Sequence, residues 1–138
     1  MTAQVNNESE ISFEPMFNVL HQFCEVFKQL NSFLGIAFSD IKDKVEIIST
    51  NNKRFPNHKG LISFTQMEMK SNIHIFNGEN NKKKKAPQEY KDYNSTARNL
   101  LRIMWLLTFI KYTFETTYHK PLEKMSTIYG EAYDEAFG

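Results

Sequence analysis

Two arginines, Arg98 and Arg102, stand four residues apart at the start of the longest apolar run in the chain, Leu100 to Ile110. A helical spacing of four stacks them on one face. Leu100, Leu101, Ile103, Met104 and Trp105 surround them, so the segment reads as a central helix. A buried guanidinium without a counter-charge is very costly. Two readings stand. Each arginine is paired with acids on neighbouring helices, or the two form a clamp for an anion. Two planar guanidiniums on one face with a lysine opposite suit a phosphate. An apolar lining beside them would suit acyl chains rather than a nucleotide. A second charged pair, Asp40 and Lys44, has the same i,i+4 spacing. Taken alone it is an exposed ion pair worth about 0.3–0.5 kcal/mol.

Other chemistry is poorly represented. His21, His58, His74 and His119 fall on separate elements, with no HExxH pattern and no cysteine at ligand spacing. There is no phosphate-binding P-loop, no GxSxG and no GxGxxG. Cys24, on the apolar face of the first helical pattern, reads as a small core residue. As the single cysteine it excludes an internal disulfide and fits a reducing compartment. No catalytic residue, metal set or cofactor site is expected. Seventeen Lys and Arg against sixteen Asp and Glu leave a net charge of +1, which argues against a nucleic-acid binder. The apolar run is about half the roughly 20 residues that cross a bilayer, and Arg102 interrupts it. Met1 to Glu10 lacks the basic start and apolar core of a signal peptide. A cytoplasmic protein is expected.

The elements that must position these charges are helical. Phe13, Phe17, Leu20, Cys24, Phe27, Leu30 and Leu34 recur every three or four residues, which predicts a first helix from Ser12 to Leu34, ended by Gly35. Ile36 to Ile48 predicts a second helix carrying Asp40 and Lys44. Leu61 to Ile73 predicts a third with a weak stripe of Leu61, Phe64, Met67 or Glu68, and Ser71. The central helix runs from Thr96 to Tyr118 with Ser95 as its cap. Leu122 to Phe137 predicts the last. Residues 1–12 read as a disordered lead. Residues 77–95, with four consecutive lysines at Lys82–Lys85, read as an exposed, mobile loop whose charge is either solvated or drawn to anionic membranes. No convincing strand is present; Ile73 to Phe76 is the only candidate. At 138 residues this is one all-α domain.

Three blocks, in this order, resemble the glycolipid transfer protein family. They are Phe33-Leu34-Gly35 leading into Ser39-Asp40-Ile41-Lys42-Asp43-Lys44-Val45-Glu46-Ile47, then Arg98-Asn99-Leu100-Leu101-Arg102-Ile103-Met104-Trp105, then Glu131-Ala132-Tyr133-Asp134-Glu135-Ala136. The resemblance covers residues 13–138. It implies a two-layer all-α sandwich that holds one sphingolipid between membranes, without enzymatic activity and with transient membrane contact.

The resemblance also implies roles for the two charged pairs. Asp40 matches the aspartate that accepts hydrogen bonds from the lipid amide and hydroxyl. Lys44 stands where glycolipid binders carry Asn and ceramide-1-phosphate binders carry Lys. Arg102 stands where glycolipid binders place a sugar-stacking tryptophan, and Arg98 matches the second arginine of the phosphate-binding branch. The set resembles the ceramide-1-phosphate branch, and Trp105, one turn on, reads as packing. The family places a histidine eight residues after Tyr133, followed by two more helices. The chain ends three residues before that histidine, so an incomplete domain is expected. Two alternatives remain: glycolipid transfer, and a helical protein-interaction module in which the arginines form only structural ion pairs.

Overall fold

The computed structural model describes residues 10–27, 32–78, 80–81 and 83–138. Among them the chain forms five α-helices: α1 (Phe13–Phe27), α2 (Ser32–Arg54), α3 (Leu61–Lys70), α4 (Thr96–His119) and α5 (Met125–Phe137), with a 3-10 turn at Gln88–Tyr90. The all-α class is as expected. Residues 1–9 of the anticipated lead, Leu30 and Lys82 lie outside the described residues, as do the side chains of Phe27 and Phe33.

The first helix boundary differs from the expected one. Gly35 lies inside α2. Leu34, Ala37, Phe38, Ile41, Val45 and Ile48 are all buried and form one unbroken stripe at three- and four-residue steps. A helical glycine costs about 1 kcal/mol relative to alanine. That is small against the burial of six apolar side chains, each contributing on the order of 1.5–3 kcal/mol, so packing overrides propensity. The α3 helix stops at Lys70 and not at Ile73 because Asn72 adopts a left-handed conformation (φ 55°) and the Ile73 N–H reaches back to the Glu68 carbonyl, 3.0 Å away. The α5 helix begins at Met125, after a turn in which the Glu123 N–H bonds the Lys120 carbonyl; Leu122 is exposed and outside the helix.

The main core joins Phe13, Leu20 and Cys24 of α1 to the α2 stripe, to Phe64 of α3, to Ile103, Phe109 and Ile110 of α4, and to Ala132 of α5. The Cys24 thiol donates to the Phe38 carbonyl at 3.7 Å, and burial pushes its pKa up. Residues 10–12, the end of the expected lead, are instead tied down. Ser12 bridges Gly60, and the Leu61 N–H bonds the Ile11 carbonyl at 3.0 Å.

The loop from 77 to 95 is not exposed throughout. Ile73, Phe76 and Tyr93 form a second small core beneath it. Asn81 is fully buried; its amide donates to the Tyr90 and Tyr93 carbonyls at 3.0 and 2.7 Å. The Arg54 guanidinium lies over the Phe55, Tyr90 and Tyr93 rings, 5.0–5.5 Å from their centroids.

The central helix is also less enclosed than its composition suggests. It packs on α2, α3 and α5, but Leu101, Met104 and Trp105 leave an apolar face open, with Met104 56% exposed.

Candidate functional site

The two charged pairs converge across the contact between α2 and α4. The α2 helix buries Ile41, Val45 and Ile48, and Lys44, between the first two of these, is drawn down with them. Its side chain is only 9% exposed, against 44% for Asp40, and its ammonium donates to the Asp40 carboxylate at 2.6 Å. This pair is therefore not the solvated surface bridge that i,i+4 spacing alone suggests. A lysine this enclosed needs its partner.

On the α4 side the start of the helix is closely fixed. Ser95 caps it as expected, its hydroxyl accepting from the Arg98 N–H at 3.2 Å. The stronger anchor is Glu68 of α3, which is fully buried. Its carboxylate accepts from the Thr96 and Ala97 N–H groups at 2.7 and 2.8 Å, from the Tyr93 hydroxyl at 2.6 Å and from the Ser95 hydroxyl at 3.1 Å. Burial, and then the bond to Glu68, push the Tyr93 phenol far above its usual range, so it remains a donor. The Asn51 amide donates to the Asn94 carbonyl at 2.7 Å and the Thr96 hydroxyl at 3.0 Å, adding α2 to the same anchor. One signal for Glu68 was present in the sequence: an acid on the stripe Leu61, Phe64, Glu68, where an apolar residue belongs.

Just beyond this anchor, Lys44, Arg98 and Arg102 line one polar cleft of about 290 Å³ together with Asn77, Gly78, Asp92 and Asn94 from the loop and Ile47 and Asn99 from α2 and α4. Among the described residues no acid lies within ion-pairing distance of either guanidinium. Asp40 does not line this cleft. It lines a neighbouring one of about 500 Å³, whose other walls are mainly apolar: Ile36, Ala37, Leu106, Phe109, Tyr133 and Phe137. The 2.6 Å bond from Lys44 to Asp40 is thus the junction of a cationic cleft and an apolar one. The two guanidiniums, beside the Asp40-paired Lys44 and with Asp92 as the one acid in the lining, can hold a dianion in the first, and the second can take hydrocarbon.

Trp105 lines neither cleft and meets Phe137 edge-on, with ring centroids 6.0 Å apart. A larger opening of about 620 Å³ shares Ile47, Asp92 and Asn94 with the cationic cleft. It carries Asp43, Glu46, Glu89 and Asp92, and its one guanidinium, Arg54, already donates to the Glu89 carbonyl at 2.8 Å. That lining has the wrong sign for an anion. Among the described residues no helix is long and apolar enough to cross a membrane.

Comparison with known proteins places the chain in a family. No curated protein sequence shows significant similarity to the chain. The fold is similar to that in the crystal structure of mouse ceramide-1-phosphate transfer protein in its apo form, with a TM-score of 0.65 and 14% sequence identity over 94% of this chain. The chain spans 58% of the length of that protein. The family described as glycolipid transfer protein matches residues 11–138, nearly the whole chain. The chain belongs to the glycolipid transfer protein family.

Proposed function

We propose that the protein is a non-enzymatic carrier that takes a phosphorylated sphingolipid, ceramide-1-phosphate, from one membrane and delivers it to another from the cytoplasm. One observation carries this reading. Lys44, Arg98 and Arg102 share a cleft that opens beside an apolar one, and the two guanidiniums have no acid partner among the described residues. In the proposal the phosphate sits between the three cations. Asp40, fixed by Lys44 at the junction, accepts from the amide and hydroxyl where headgroup meets chain. The hydrocarbon then enters the cleft floored by Ala37, Leu106 and Phe109.

Glycolipid transfer is the weaker reading. A sugar is recognised by a ring face and neutral hydrogen-bond partners, whereas this cleft offers charges, and Trp105 packs on Phe137 outside it. The protein-interaction reading requires the arginines to be satisfied by acids, and among the described residues they are not.

The test is vesicle-to-vesicle transfer by the protein and by its Arg102→Leu variant. Arg102 is exposed, so the substitution leaves folding stability within about 0.5 kcal/mol. Loss of one charge-assisted contact of about 1.5–3 kcal/mol lowers ceramide-1-phosphate transfer at least tenfold. Equal transfer by the variant removes the phosphate assignment.

A further inference from the structure

Asp92 belongs to two openings at once. It lines the cationic cleft with Arg98 and Arg102, and it also lines the larger opening of about 620 Å³. Ile47 and Asn94 are shared in the same way, so the two cavities meet along a common wall. That wall is fixed from inside the fold. Tyr93 and Asn94 follow Asp92 directly, and the Tyr93 hydroxyl is bonded to Glu68 at 2.6 Å. The Asn51 amide donates to the Asn94 carbonyl at 2.7 Å, and the Asn99 amide to the Asn94 side chain at 2.8 Å.

Charge changes sign across this wall. On the near side Lys44 is matched by Asp40, which leaves the Arg98 and Arg102 guanidiniums against Asp92. A phosphomonoester, close to doubly charged at neutral pH, brings surplus negative charge beside Asp92, whereas a singly charged phosphodiester balances the group. On the far side Asp43, Glu46, Glu89 and Asp92 share the lining with a single guanidinium, Arg54. Among the described residues none of these four acids forms an ion pair. Arg54 is already engaged by the Glu89 carbonyl and by the Phe55, Tyr90 and Tyr93 rings. The ring faces that suit a quaternary ammonium are therefore taken. What stays open is carboxylate, the partner of an ammonium that donates hydrogen bonds.

We propose that the headgroup site takes a phosphodiester sphingolipid ending in a primary amine, of the ceramide phosphoethanolamine kind. Its phosphate lies on Arg98 and Arg102, and its ammonium enters the opening lined by Asp43, Glu46, Glu89 and Asp92. The inference rests on the headgroup reading and extends it: the ceramide-1-phosphate unit is retained, and a short ethanolamine arm crosses the shared wall. Asp92 determines specificity, because it stands where phosphate gives way to amine, repelling a second phosphate charge and attracting the ammonium. A divalent cation is the poorer occupant of the acidic side. Among the described residues no three acids, histidines or cysteines come together as a metal site.

The experiment is calorimetric titration of the full chain with four short-chain lipids: ceramide phosphoethanolamine, its N-acetylated form, sphingomyelin and ceramide-1-phosphate. The wild type is compared with Asp92→Asn and with the Arg98→Leu, Arg102→Leu double variant, and thermal melting is followed for each. The wild type should bind ceramide phosphoethanolamine about fivefold more tightly than the acetylated lipid, and more tightly than sphingomyelin. Asp92→Asn should move two affinities in opposite directions, weakening ceramide phosphoethanolamine and tightening ceramide-1-phosphate, each by about two- to fivefold. A folding defect would weaken both. Equal binding of the amine and its acetylated form overturns the proposal. A preference for sphingomyelin overturns it too, as does an Asp92→Asn variant in which both affinities move the same way or neither moves. In each of those cases, ceramide-1-phosphate binding that the double arginine variant loses leaves the headgroup reading standing. Undiminished binding of all four lipids by the double arginine variant overturns both readings together.

Discussion

The first turn of α4 and the turn after it treat charge in opposite ways. At the first turn the Thr96, Ala97 and Arg98 N–H groups are all taken, two by Glu68 and one by Ser95. A helix N-terminus is a ready anion site, and here the protein's own carboxylate fills it. In the second region, the cleft formed by Arg98, Arg102 and Lys44, Asp92 shares the lining but the guanidiniums form no ion pair among the described residues. Charge balanced within the protein holds the framework, and charge left unbalanced is available to a ligand. The framework sets the position of the second region, since Glu68 ties α3, the 77–95 loop and α4 together at the two residues just before Arg98.

Substitutions on the two sides should therefore read out differently. The largest effect falls on Glu68→Ala. It strands buried donors from Tyr93, Thr96 and Ala97 at once, so a loss of about 3–5 kcal/mol in urea-unfolding free energy is expected. A loss under about 1 kcal/mol would mean that the anchor is not structural. Next comes the junction. Asp40→Val leaves the enclosed Lys44 ammonium without its acceptor and should cost about 1–3 kcal/mol of stability, so a loss of lipid transfer in that variant is ambiguous. Asp40→Asn keeps an acceptor for Lys44 and should separate the two effects, reducing sphingolipid binding with a much smaller change in melting. If Asn and Val destabilise equally, the Lys44–Asp40 contact is electrostatic alone.

The smallest effect tests the α2 boundary. A Cβ added at Gly35 meets nothing within 4 Å, so Gly35→Ala should stabilise the fold by about 0.5–1 kcal/mol without altering binding. Destabilisation would place a helix end there after all.

These contrasts also explain what could be read from the chain. The α4 helix and its Ser95 cap were legible because each rests on local spacing. That Lys44 lies beside Arg98 and Arg102 followed only from the family resemblance, since it is more than fifty positions away along the chain. Gly35 misled because glycine signals a break only when no stripe runs through it, and the stripe from Leu34 to Ile48 does. Glu68 was missed as a framework residue because its partners lie far along the chain, 25 to 29 residues away. Asn81 has nearer partners, 4 to 12 residues away, but lies in a stretch whose polar composition reads as solvated loop. The open face at Met104 was hidden for the same reason. Composition says that an apolar residue seeks cover, not whether a neighbouring helix supplies it. Asp40 was expected in the headgroup site itself; it stands one wall away, joined to it through Lys44.

The central claim is that the unbalanced cations of α4 select a phosphate. It is tested most directly by calorimetric titration of short-chain ceramide-1-phosphate and short-chain galactosylceramide into the wild type and the Arg98→Leu, Arg102→Leu double variant. The wild type should bind the phosphate lipid at least about tenfold more tightly, and the double variant should lose that preference while melting normally. Equal or tighter binding of galactosylceramide by the wild type, or an undiminished preference in the double variant, would contradict the account.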